Sequence, residues 1–277
     1  MNEKISLLLP VYNAEQFLRE CLDSIIAQTY TNWELFACND GSNDSSLEIL
    51  NEYAAKDTRI TILDNPKNMG ITATRNRLLK SITKNSEYIA LVDSDDVCFP
   101  DRLMRQLNFL RSNPNVGGVS SNLEIIDENS VTTGFRKYPD TAEKVKKLLP
   151  YSNVLAQPAM MLRKKSIQQA GYYSSEYSVC EDYELWLRIL DFADFANLAE
   201  PVIKYRIQSG QSKQQYLKTT LHNTMKIQRK YFKRMGCRLP VKLFVQHIAG
   251  RILLLLPSNW ILKLFCLITY KKQDKKA

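Results

Sequence analysis

The chain has no Cys-x-x-Cys pair; its six cysteines stand at 21, 38, 98, 180, 237 and 266. Without that spacing there is neither a zinc pattern nor a disulfide framework, and the expected compartment is reducing and cytoplasmic. No Gly-x-Gly-x-x-Gly follows the first apolar run, and no Gly-Lys-Ser or Gly-Lys-Thr occurs. That argues against dinucleotide-binding and P-loop readings. The opening apolar run, Ile5 to Leu9, is too short for the core of a signal peptide. Near the other end no strictly apolar run is longer than Ile252 to Leu256, far short of the ~20 residues of a spanning helix.

Acidic residues nearly vanish late in the chain. Residues 201–277 hold 17 Lys and Arg against Asp274 alone, whereas residues 1–200 hold 21 against 28 Asp and Glu. The overall charge of +9 therefore averages a segment of −7 and one of +16. Such asymmetry points to an anionic partner for the late segment, membrane or nucleic acid.

What is present is an ordinary globular composition, 44% apolar and 24% charged over 277 residues, enough for one large domain with an appendage. Strand and helix patterns alternate. Ile5 to Leu9 reads as a strand stopped by Pro10, Ala14 to Gln28 as a helix, Trp33 to Cys38 as a strand and Ser45 to Ala55 as a helix. Ile60 to Leu63, Ile71 to Ser81 and Tyr88 to Val92 continue the alternation as strand, helix and central strand. This predicts a doubly wound α/β sheet, mostly parallel and flanked by helices. Ligands of such sheets bind beyond the carboxyl ends of the strands, so Pro10 to Asn13, Asn39 to Ser42 and Asp93 to Asp96 should line one crevice. After Val116 the alternation breaks. A helix closed by Gly171, an acidic helix start at Glu181-Asp182 and a strand from Val202 to Ile207 follow.

Asp93 and Asp95 leave the central strand two residues apart, a spacing that puts both on one face if the strand continues. Converging carboxylates suit a hard divalent cation carrying a phosphate. Taken alone, the same residues also suit a helix cap, with Asp96 or Asp101 preceding the pattern opened by Arg102.

The ordered set of loops resembles family 2 glycosyltransferases of the GT-A fold, over roughly Lys4 to Ser212. The carriers are Pro10-Val11-Tyr12-Asn13, Asn39-Asp40-Gly41-Ser42, Asn68-Met69-Gly70 with Arg75-Asn76, Asp93-Ser94-Asp95-Asp96, Glu181-Asp182-Tyr183-Glu184-Leu185-Trp186-Leu187-Arg188, and Tyr205-Arg206 with Gly210 and Ser212. Two positions depart from the pattern: Asn39 replaces an Asp, and Gln208 stands at a frequent His. The resemblance implies a nucleotide-sugar donor, a UDP-sugar by preference. Pro10, Val11, Tyr12 and Asn13 would hold the base, and Asp40 would bond the base or ribose. Arg75 would serve the diphosphate or loop order, and Asn68, Gly70, Ser94 and Asp93 would complete the donor site. Asp95 would ligate Mn2+ or Mg2+ directly, and Asp93 would contact the ribose or a metal-bound water. Asp182 would be the catalytic base of an inverting transfer. Glu181, Asp96, Trp186 and Arg206 would support it or face the acceptor.

The expected organisation is a GT-A domain at 1–215, with a donor half at 1–115 and an acceptor half at 116–215, then a basic helical tail at 216–277. Leu243 to Tyr270 reads as two amphipathic helices in a membrane interface, with Lys271, Lys272, Lys275 and Lys276 on the headgroups. The alternative for this pair is packing on the domain or a dimer contact. Its Leu and Ile content fits lipid better than nucleic acid. The expected acceptor is a lipid-linked saccharide of surface polysaccharide assembly, at the inner face of the cytoplasmic membrane. A catalytically inactive sugar-nucleotide-binding protein and a sugar nucleotidyltransferase are the rival classes.

Overall fold

The computed structural model describes residues 3–208 and 216–254. The chain divides into two compact units, Met1–Ile207 and Gln208–Ala277. Gly210, Ser212, the second predicted tail helix and the four terminal lysines lie outside the described residues.

The first unit is built on strands β1 (Lys4–Val11), β2 (Trp33–Asn39), β3 (Ile60–Asp64) and β4 (Ser86–Leu91), separated by helices α1 (Glu15–Ile26), α2 (Ser46–Lys56) and α3 (Ile71–Ser81). Next come β5 (Val97–Cys98), α4 (Arg102–Ser112), β6 (Val116–Ser121), β7 (Leu123–Ile126) and β8 (Thr132–Arg136). Helix α5 (Ala142–Leu148), β9 (Met161–Arg163), α6 (Lys164–Ala170), α7 (Glu181–Ile189), β10 (Asp194–Leu198) and β11 (Ile203–Arg206) complete it. Seven strands form the main sheet in the order β10-β6-β9-β4-β1-β2-β3. All its pairings are parallel except those of β9, antiparallel to both β4 and β6. β1 and β2 are buried along nearly their whole length, as central strands covered on both faces must be. The amphipathic α1 turns Leu18, Cys21, Leu22 and Ile25 onto them.

Three sequence expectations change. β1 does not stop at Pro10 but pairs through Val11 with Asn39. Pro10 is tolerated because pairing with β4 ends at Leu8, so the missing N–H lies beyond the ladder on that side. The cap reading also fails: Asp101 precedes α4 but makes no side-chain cap bond, and Asp96 accepts from the Arg206 N–H at 2.9 Å instead. Finally, a second sheet, β5-β11-β7-β8, stands beside the first. Only its β11 was foreseen, because the other strands are short and the outer hairpin strand β8 is largely exposed.

In the second unit, α8 (Leu217–Arg234) and α9 (Val241–Leu254) pack on one another, with His247 Nε2 2.7 Å from Gln228 Oε1. No described helix is long and apolar enough to cross a membrane.

Candidate active site

The loops at the carboxyl ends of β1, β2, β3 and β4 are stitched edge to edge. Asn13, in the left-handed region at φ 47°, donates its N–H to Ser42 Oγ at 3.0 Å and accepts from the Asn43 N–H at 2.9 Å. Tyr12 beside it is 47% exposed, an open ring at the crevice rim. Gly41 has φ 68°, and a Cβ there would stand 2.5 Å from the Lys67 carbonyl carbon. No side chain fits that approach.

Asp40, expected to bond the base or ribose, is buried and turned into the protein. Its carboxylate accepts from the Met69 and Gly70 N–H groups at 2.9 and 3.0 Å and from Asn65 Nδ2 at 2.6 Å. It shapes the Asn68-Met69-Gly70 loop, because a buried carboxylate must be satisfied and three donors converge on it. Asn39 Nδ2 donates to Asp64 Oδ1 at 2.7 Å; an Asp in its place would set two carboxylates face to face.

The Asp93-Ser94-Asp95-Asp96 segment is a turn and not a continued strand. β4 ends at Leu91, and the Asp96 N–H closes on the Asp93 carbonyl at 3.2 Å. The strand argument for a shared face therefore fails, since period-2 alternation ends with the strand. Asp93, Ser94 and Asp95 stay partly exposed, and Asp96 is buried. Beneath the turn lies Arg206, fully buried. Its guanidinium donates to the carbonyls of Asp95 and Asp127 at 2.8 and 2.9 Å and to Glu20 Oε2 at 2.6 Å. It also stacks on Phe17, 4.3 Å from the ring centre. Arg206 thus supports the turn from below and does not face the crevice.

Arg75, in the second turn of α3, joins the two acidic centres. Its Nη2 donates to Asp93 Oδ1 at 2.9 Å and its Nη1 to Glu181 Oε1 at 2.5 Å. With the Gln157 amide turned to present its oxygen, that oxygen accepts from Arg75 Nη1 and Nε at 2.8 and 3.0 Å. The next residue, Asn76, exchanges two 2.9 Å bonds with the Tyr173 backbone. Helix α3 is thereby zipped to the segment leading into α7. Burial pushes the Glu181 carboxyl up to about 7, against the opposing pull of Arg75.

Asp182, in the first turn of α7, is partly exposed. Its Oδ2 accepts from Asn153 Nδ2 at 2.9 Å. Asn197 Nδ2 binds the carbonyls of both Pro139 and Val154, which brings Tyr138 and Asn153 to the same place. Burial first, and Asp182 in addition, raise the Tyr138 hydroxyl. Sequence reasoning missed Asn153 and Tyr138; each lies in a loop with no periodic signal. Trp186, expected near the acceptor, is wholly buried and packs edge-on against Phe195, ring centres 5.6 Å apart. The helical spacing that turns Leu185 and Ile189 inward takes Trp186 with them.

Among the described residues no three His, Cys, Asp or Glu side chains form a ready metal cage. The turn instead offers the partly exposed carboxylates of Asp93 and Asp95. Such a donor set fits a hard cation that draws its remaining ligands from phosphate and water.

Comparisons with known proteins agree with this architecture. The chain is 28% identical to an uncharacterized glycosyltransferase of Haemophilus influenzae, over 98% of this chain and 87% of the relative. It is 32% identical to the O-antigen biosynthesis glycosyltransferase WbnJ of Escherichia coli, over 75% and 81%. It is also 32% identical to the Escherichia coli UDP-Glc:alpha-D-GlcNAc-diphosphoundecaprenol beta-1,3-glucosyltransferase WfgD, over 67% and 69%. Among solved structures, S. aureus TarS bound to UDP superposes with a TM-score of 0.64 at 18% identity, over 88% of this chain and 70% of that one. The mannosyltransferase PcManGT of Pyrobaculum calidifontis, with GDP-Man and Mn2+, gives 0.59 at 15%, over 92% and 71%. The fold is of the GT-A type. The chain belongs to glycosyl transferase family 2, whose profile matches residues 6–171.

Proposed function

We propose that this enzyme moves a sugar from a UDP-sugar to a lipid-linked saccharide in surface polysaccharide assembly, inverting the anomeric centre. The observation that carries the reading is the ionic bridge from Asp93 through Arg75 to Glu181, which sets the carboxylate turn and the start of α7 side by side. Support for the donor and acceptor comes from the relatives: TarS is solved with UDP, and WfgD takes its name from UDP-Glc and a diphosphoundecaprenol-linked sugar.

In this reading Pro10 to Asn13, with the open Tyr12 ring, receive the base. The loop shaped by Asp40, through Asn68 and Gly70, closes over the ribose side. Asp95, with Asp93 and Ser94 beside it, would hold Mn2+ or Mg2+. When bound, the cation supplies positive charge to the departing diphosphate. Asp182 accepts the proton of the acceptor hydroxyl as that oxygen bonds the anomeric carbon and the carbon–phosphate oxygen bond breaks. Asn153 holds its carboxylate in place. With one base and no protein nucleophile in the scheme, a single displacement inverts the centre. The enzyme works at the inner face of the cytoplasmic membrane, in peripheral contact through residues 243–277.

Screening nucleotide-sugars with Mn2+ for donor hydrolysis and transfer identifies the donor. Asp182→Asn should then cut transfer by roughly a hundredfold or more while donor binding persists. Asp95→Ala should lose metal-dependent donor binding as well. An Asp182→Asn enzyme transferring at the parental rate would remove that residue from the chemistry. Retention of the donor's anomeric configuration in the product would overturn the single displacement.

A further inference from the structure

In the unit Gln208–Ala277, helix α9 presents two contrasting sides. Leu243, His247 and Gly250 are buried on one. His247 meets Gln228 of α8, and a Cβ on Gly250 would come within 2.9 Å of Met225 Sδ. On the opposite side Val241, Phe244, Val245, Ile248 and Ile252 are 46–79% exposed. Steps of three and four residues make them one continuous stripe. By the same geometry Lys242 flanks the stripe on one side and Arg251 on the other. Just before α9, Arg229, Lys233 and Arg238, with Phe232 and Leu239, line an open hollow of about 390 Å³. Residues 216–254 contain nine Lys and Arg and no acidic residue.

Soluble monomers rarely leave a contiguous apolar row of this kind in water. Its occupant must accept large apolar side chains along one line and satisfy cations on both flanks and at one end. An anionic bilayer supplies both, acyl chains for the stripe and phosphates for the cations.

We infer that α9 lies in the headgroup plane of an anionic bilayer with its outer stripe in the acyl boundary, and that the Arg229–Lys233–Arg238 hollow takes a lipid phosphate. The inference rests on the membrane-surface reading above and deepens it, assigning the contact to named side chains between 229 and 252.

The test is sedimentation of the full-length protein with vesicles of equal parts phosphatidylcholine and phosphatidylglycerol, and with phosphatidylcholine alone. The parent should pellet with the mixed vesicles and far less with the neutral ones. Phe244→Glu combined with Ile248→Glu should weaken partitioning by at least about tenfold, from lost apolar burial. Arg229→Gln, Lys233→Gln and Arg238→Gln together should weaken it by about as much and flatten its salt dependence. Val245→Trp, which leaves every cation in place, should bind at least as tightly and shift its emission to the blue on the mixed vesicles. A parent that never pellets removes the membrane reading itself. A parent that pellets, with a Phe244/Ile248 variant that pellets equally, overturns the face assigned here and leaves that reading standing. A soluble dimer that the same variant splits into monomers would make the stripe a self-contact and overturn the inference.

Discussion

Arg75 serves two carboxylates at once, and the fork of its guanidinium is what permits it: one amino group reaches Asp93, the other Glu181. A lysine at 75 has one point of charge to divide between them. Asp182 depends on a neutral partner, the Asn153 amide at 2.9 Å. Asn153→Asp places a second carboxylate against Asp182 and disfavours its ionised form. The acidic limb of the kcat–pH profile should therefore move to higher pH, while donor KM stays put. An unmoved limb would mean that Asn153 does not govern this carboxylate. At this scale the sequence displayed Asp93, Asp95 and Asp182 through their neighbours in short motifs. It hid Asn153, because the contact to residue 182 closes over 29 residues with no pattern to announce it. It also hid the internal use of Asp40, since a motif names a residue without saying which way its oxygens face.

The elements show which physical signals carry far. The strands β1 to β4 and helices α1 to α3 were legible because buried strands and amphipathic helices have different periods. β5, with two residues, and β9, with three, are too short to show any period. The departure at Asn39 also finds its reason here, in the end of β2 lying against the end of β3. Asn39→Asp should destabilise the fold by about 1 kcal/mol through a like-charge contact between a buried position and the exposed Asp64. For a protein of this size that is a fall in Tm of roughly 2–4 °C per kcal/mol. Adding Asp64→Asn restores a donor opposite the new carboxylate and should recover most of the loss. Thermal unfolding of the single and double variants decides it, and independent, additive losses would exclude the pairing.

For the molecule as a whole, the division of charge was visible in composition alone, whereas the mixed character of the main sheet was not. Stability should carry a mark of Glu181. Burial holds its carboxyl up at about 7, above the ordinary 4.5, so the folded state binds its proton more tightly than the unfolded chain does. That contribution is fully present below about pH 4.5 and is lost as pH rises through about 7. Glu181→Gln removes the ionisation and should flatten the decline in Tm between those values, which a pH series of melting curves would read directly. Identical slopes in parent and variant would show that Glu181 titrates alike in both states.

The single reversed strand, β9, has a geometric effect on everything around it. It keeps β4 and β6 running the same way yet one strand apart, a gap of two strand spacings, about 10 Å. The three-residue strand acts as a gauge block that fixes how far the carboxylate turn after β4 stands from the carboxyl end of β6.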